Sequence, residues 1–431
     1  MLIRGALLPD DRRRDVRVRG ERIDAVEDGL DAGPDERVVD ARGKRLLPGM
    51  IDVHVHFRQP GGSHKETWAT GTRSAAAGGV TTVVDQPNTD PPTVDGAAFD
   101  DKASIAAADA VVDYGLNGGV LPDWAPAELL DRPLFAIGEV FLADSTGDMG
   151  IEADLFEAAL RRLRGNDVRL TVHAEDAAEF NESALERSDP DAWSAYRRAR
   201  AEEVAARRAC AVAAEYDARI HIAHASTPAA IDIAADAGMT TEVTPHHLFL
   251  SRGDLDDLGT LGRMNPPLRR ERLRQAVYDR VIDGTVDMIA TDHAPHTRGE
   301  KDASIWDAPS GVPGVETALP LLLAEATAGR LGYGRIAELT ARNPAQSFDL
   351  PAKGRIEAGR DADLVLVNPE DTREIRAADL HTKCDWTPFE GRTGVFPEWT
   401  MVRGTMVYER DADGERFAEP AGQNVRPADQ Q

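Results

Sequence analysis

Eight short, apolar, β-branched segments recur between residues 50 and 290, at 50–56, 80–86, 111–116, 134–141, 168–173, 219–224, 240–244 and 286–290. Most of the gaps between them carry Ala-rich amphipathic patterns of helical length, such as 151–164, 201–215 and 228–237, with Glu and Arg at i, i+4 spacings. This alternation reads as repeated βα units around a parallel sheet. Eight units in about 250 residues or more is the size of a TIM barrel, which places its chemistry at the C-terminal ends of its strands. A doubly wound open sheet is the alternative. No GxGxxG follows the first strand, which counts against it.

The flanks differ from the middle. Residues 1–47 and 351–409 are rich in turns and short strand-like pieces, at Leu2–Leu7, 15–19, 22–26, 362–367 and 400–408. Two β-rich ends bracketing a barrel predict one small composite β domain built from both termini. The fold class is thus α/β: a TIM (β/α)8 barrel over 48–350, the composite domain, and a loose polar tail over 410–431.

Charge narrows the choice of partners. The chain has 431 residues and a formal net charge of −25 spread along its length, which repels nucleic acid and anionic membranes and leaves a small-molecule substrate. Six of its 50 basic residues are lysine (Lys44, Lys65, Lys102, Lys301, Lys353, Lys383), and the rest are arginine. Excess carboxylate with scarce lysine suits a halophilic protein, because the Debye length falls to about 3 Å at 1 M salt and self-repulsion fades. Codon bias toward Ala, Arg and Gly with an ordinary acidic surface gives the same composition. There is no signal-peptide pattern and no run of 18 apolar residues, so a cytoplasmic location is expected, with a homo-oligomer left open. Cys210 and Cys384 make neither a disulfide framework nor a zinc finger, so any metal falls to His and carboxylates.

The histidines cluster where strands are predicted to stop. His54 and His56 stand two apart in DVHVHF (52–57), and period-2 geometry sends both to one face. A hydrogen-bonded pair of structural histidines would look the same. The spacing gains force by recurrence in VHAED (172–176), HIAHAS (221–226) and TDHAPH (291–296). His and Asp converging on one barrel mouth fit zinc ligation. Two metals about 3.5–4 Å apart also need a shared anion, and Glu139, among apolar neighbours in LFAIGEVF (134–141), is the candidate; a salt bridge to an arginine is its other role. No lysine lies between Lys102 and Lys301, so a carbamylated lysine cannot come from this stretch. Arg58, two residues past His56, is placed to pair bidentately with a carboxylate, of a substrate or of the protein. GxxxxGK[ST], HExxH and GxSxG are absent, which removes phosphate-loop, zincin and serine-hydrolase readings.

As a set, PGMIDVHVHFR (48–58), GGVTTVVDQPNT (78–89), EVTPHHL (242–248), MNPPLR (264–269), ATDHAPH (290–296) and GVPGVET (311–317) resemble the dihydroorotases of the cyclic amidohydrolase superfamily. Weaker echoes reach both ends, in GRIEAGRDADL (354–364) and WTPFEG (386–391). The resemblance implies a binuclear zinc site, with His54, His56 and Asp292 on one ion and His173 and His224 on the other. Glu139 falls where many relatives carry the bridging lysine carbamate, with Asp144 as the alternative bridge. Asp292 would act as base and then acid. Arg58, Asn88 and His296 would hold the substrate carboxylate, and Asn265 and residues 311–314 would contact the ring. A different cyclic amidase, such as an allantoinase or dihydropyrimidinase, and an inactive structural relative are the alternatives. Residues 298–309 are expected to form a mobile loop over the site. His246 and His247 are expected to end a strand, His64, His293 and His381 to be structural or exposed, and His221 to face the core.

Overall fold

The computed structural model describes residues 1–143 and 149–426. Its larger sheet has eight strands: β1 (Met50–Val55), β2 (Val80–Asp85), β3 (Asp113–Gly118), β4 (Ala136–Phe141), β5 (Leu170–His173), β6 (Ile220–Ile222), β7 (Thr240–Val243) and β8 (Met288–Ile289). They lie in chain order, each parallel to the next. The ends of the row meet where Val55 bridges to His293 in parallel and the His56 N–H donates to the His293 carbonyl at 2.8 Å. The sheet thereby closes into the expected barrel.

Burial on both faces explains why these strands read as continuous apolar runs rather than alternating ones. Every residue of β1 to β6 is buried. The helices between them follow the amphipathic rule. Ala153–Leu163 buries Phe156, Ala159, Leu160 and Leu163 on one stripe. Pro228–Asp236 starts where the Thr227 side chain accepts the Ala230 N–H and proline takes the first turn.

A second sheet of nine strands joins the chain's two ends. Leu364–Glu374 runs antiparallel to Arg45–Pro48, with Val365 opposite Leu47 and Leu366 opposite Leu46. Of the stretch expected to hang loose over 410–431, the described part, 410–426, does not do so. Thr405–Asp411 and Gly414–Phe417 form a hairpin, and the Gln423 N–H donates to Asp113 Oδ1 at 2.9 Å. The physical reason is a turn closed by Gly414 at φ +119° and a cross-strand aromatic pair, Tyr408 and Phe417, with ring centroids 5.2 Å apart. The polar composition there reports one solvated face. No helix among the described residues is long and apolar enough to cross a membrane.

Candidate metal centre and active site

The barrel carries its candidate ligands at or beyond the C-terminal parts of the strands. His54 lies in β1 and His56 just past it, Glu139 in β4, His173 at the end of β5, His224 two residues past β6 and Asp292 three past β8. Arg58, His224 and Asp292 adopt left-handed φ values of 62°, 34° and 46°. Non-glycine residues hold such conformations at a cost of roughly 1–3 kcal/mol each, so the surroundings must enforce them. Buried acids supply the enforcement. Asp85 accepts the Phe57 N–H at 2.6 Å, Glu242 the His224 N–H at 3.2 Å, and Asp52 the Thr291 N–H at 3.0 Å. Gly138 makes room for Glu139: a Cβ there would stand 2.1 Å from Thr171 Oγ1, forcing β4 away from β5.

Glu139 is the hub of the cluster. Its Oε1 lies 2.5 Å from His224 Nε2 and 3.0 Å from His173 Nδ1, and its Oε2 lies 3.2 Å from His54 Nε2 and 4.0 Å from His56 Nε2. Asp292 Oδ1 stands 3.0 Å from His56 Nε2 and 3.7 Å from His54 Nε2. Two buried triads, His54–Glu139–His224 and His54–His56–Asp292, each bring their ligand atoms within 4.8 Å of one another.

The outer edges of the imidazoles show that this set fits a divalent cation. His54 Nδ1 faces Glu242 Oε1 at 2.6 Å, His56 Nδ1 faces Asn88 Oδ1 at 2.7 Å, and His173 Nε2 faces Glu175 Oε2 at 3.0 Å. An oxygen acceptor outside fixes the N–H there and turns the other nitrogen's lone pair inward, which is how metal-binding histidines are oriented. Burial alone would raise Glu139, but the charges of His224 and His54 and hydrogen bonds from His173 and His224 hold it well below the usual carboxylate range. Asp292 behaves alike: burial opposes, while the hydrogen bond from His56 and the charges of His54, His56 and His224 keep it ionised. Burial depresses His173, yet Glu139 and Glu175 lift it to about 9. The acids are therefore carboxylates, and their charge draws a cation, proton or metal.

A small cavity opens beside this cluster, lined by residues that include Arg58, Asn88, Asn265, Asp292, Ser310 and Gly311. Arg58 is 7% exposed, and its guanidinium meets the Pro295 carbonyl at 3.2 Å and His296 Nε2 at 3.1 Å. Among the described residues no carboxylate pairs with it, which disposes of the structural salt bridge.

Several expectations need revision. His296 stands behind Arg58 rather than in the cavity lining, whereas Asn88 does line the cavity, with its carbonyl oxygen turned to His56. His246 and His247 lie in a short helix, Pro245–Phe249, because Thr244 caps it and Pro245 starts it. Residues 298–309 are pinned rather than loose: Lys301 Nζ donates to the carbonyls of Arg263, Pro309 and Gly311, and Trp306 Nε1 to Arg187 O. Lysine 301 is buried, a fact its polar neighbours in sequence concealed. His221, His293 and His64 match their expected settings, the first two buried and the last exposed, while His381 joins Glu316 to Glu415. Asp144 lies outside the described residues. Sequence reasoning missed Glu175 and Glu242, which orient His173 and His54. The available signal was an acid two residues past His173 and another inside the apolar seventh strand.

Comparison with known proteins gives concordant results. The amidohydrolase family matches residues 45–407. The dihydroorotase of Halobacterium salinarum is 63% identical over 426 residues, covering 99% of each chain. The dihydroorotase of Methanosarcina acetivorans is 40% identical over 418 residues, covering 93% of this chain and 90% of its own. Among solved structures, the L-hydantoinase (dihydropyrimidinase) from Arthrobacter aurescens superposes with a TM-score of 0.93 at 26% identity, covering 99% of both chains.

Proposed function

This chain belongs to the amidohydrolase family, and from that membership we propose that it interconverts N-carbamoyl-L-aspartate and dihydroorotate in pyrimidine (UMP) biosynthesis. It is a metal-dependent hydrolase of a cyclic amide C–N bond. The observation that carries the choice of substrate is Arg58, a buried guanidinium in the cavity wall with no carboxylate partner among the described residues. An unpaired buried charge is costly unless something completes it. Dihydroorotate has a ring carboxylate to do so; dihydrouracil, hydantoins and allantoin lack one.

His54, His56 and Asp292 would hold one zinc ion, His173 and His224 a second, with Glu139 between them. When bound, the ions would polarise the scissile carbonyl and make water nucleophilic near neutral pH. Arg58 would anchor the carboxylate by paired hydrogen bonds and so set the ring's distance from the cluster. Asn265, whose Oδ1 accepts from Trp193 Nε1 at 3.0 Å, would meet the ring. Asp292, ionised at rest, would take the proton from the attacking water and hand it to the departing ring nitrogen. In cyclisation the same carboxyl group would run the transfer backwards.

Turnover of dihydroorotate, dihydrouracil and allantoin by the zinc-loaded protein tests this reading, with dihydroorotate expected fastest. Arg58→Met should lower kcat/KM for dihydroorotate by the loss of a buried charge-assisted contact, roughly 2–5 kcal/mol or 30- to 5,000-fold. Faster hydrolysis of allantoin or dihydrouracil would sink the assignment.

We propose further that the enzyme works in the cytoplasm at high salt. Three of the six lysines, Lys102, Lys301 and Lys353, are buried, so the exposed basic charge is almost wholly arginine among abundant acids. Screening should relieve that excess. Thermal unfolding in 0.1 to 2 M KCl should show a rising Tm, and a flat or falling one would leave an ordinary acidic surface.

A further inference from the structure

Behind Arg58 stands a residue that the proposed reaction does not call on. Lys65 lies in the loop between β1 and the helix Trp68–Ala77, with its Nζ 3.2 Å from His296 Nδ1 and 3.1 Å from Glu300 Oε1. Glu300 is itself anchored, accepting the N–H and the hydroxyl of Thr297, each at 2.9 Å. At the imidazole's other edge, His296 Nε2 stands 3.0 Å from the Ser310 carbonyl and 3.1 Å from the Arg58 guanidinium.

Hydrogen-bond inventory settles what each edge can be. An ammonium has three donors and no acceptor, so the nitrogen facing Lys65 must offer a lone pair. Burial, with Arg58, Lys65 and Lys301 nearby, keeps His296 neutral. A neutral imidazole has one N–H, which then sits on Nε2 and finds the Ser310 carbonyl. Nε2 therefore cannot also accept from Arg58. The guanidinium N–H that faces His296 is thereby left unused beside Ser310, which lines the cavity with Arg58. A guanidinium that keeps its N–H groups can pair them with the two oxygens of a carboxylate.

We propose that Lys65 is a positioning residue that fixes His296 as its Nε2–H tautomer, so that His296 cannot accept from Arg58 and the guanidinium keeps its donors for the ring carboxylate of the substrate. The identity of that carboxylate rests on the dihydroorotate reading; the tautomer does not. A lysine serving only to pair with Glu300 would leave the imidazole free to choose.

The test combines nitrogen-15 NMR of labelled histidines with steady-state kinetics on the zinc-loaded, full-length protein, His296 signals being identified by their loss in His296→Gln. Wild type should show His296 protonated at Nε2. Lys65→Met should populate the Nδ1–H form and raise KM for dihydroorotate about tenfold with kcat within about twofold, and Lys65→Arg, another pure donor, should restore both. Nδ1 protonation in the wild type would overturn the proposal. So would a Lys65→Met variant that changes KM without changing the tautomer, or the tautomer without KM. If wild type fails to turn over dihydroorotate at all while the tautomer responds as stated, the substrate reading falls and the role of Lys65 in setting the tautomer stands.

Discussion

Glu139→Ala is expected to cost the protein about one equivalent of bound zinc and at least ~1,000-fold in turnover. Three imidazoles, from His54, His173 and His224, meet this one carboxylate, and nothing else in β4 could replace it. At about 4 Å and an effective dielectric near 20, a lost carboxylate–cation attraction is about 4 kcal/mol, or roughly three powers of ten in affinity. Metal analysis after dialysis, read beside dihydroorotate hydrolysis, checks the result. Because Ala is small, the barrel itself should persist, and circular dichroism will show whether it does. Retention of all the metal would move the bridging role elsewhere, with Asp144 the next residue to change.

Asp292→Asn should lower kcat by roughly 100- to 10,000-fold, the usual contribution of a positioned acid–base group, while KM moves little. The amide keeps the shape and can still face His56, but it cannot accept a proton. Its left-handed backbone at φ 46° is one that Asn tolerates, so the change isolates chemistry from folding. Pre-steady-state and steady-state rates on metal-matched samples separate the loss of a base from the loss of a ligand. If the variant holds its full metal and keeps kcat within about tenfold of wild type, proton transfer must be assigned to another group.

How far the site could be read in advance depended on local geometry. His54 and His56 were legible because strand periodicity puts residues two apart on one side, and His173, His224 and Asp292 because each follows a strand-like run. Glu139 stood out as an acid among apolar neighbours. The position of His296 could not be read, since only packing put it behind Arg58. The outer oxygen of Glu242 was hidden for the same reason, because it acts across strands on His54 and His221, whereas Glu175 acts on His173 only two residues away and was open to a local reading. The tail failed differently, as a polar hairpin with one solvated face looks like a linker until Tyr408 and Phe417 meet.

The order of residues alone determined that eight parallel strands would form and which of their ends would bear imidazoles and acids, because hydrophobic period and strand termination are local properties of the chain. Only the closed barrel decided that those ends meet, and that Glu139 rather than an arginine pair sits at their centre. It also left Arg58 without a carboxylate partner among the described residues and set Lys65 against His296. Such facts depend on distances between groups well apart in sequence, by 34 residues for Glu139 and His173 and by 236 for His56 and Asp292, and a string of side chains carries no record of those until the ring is shut.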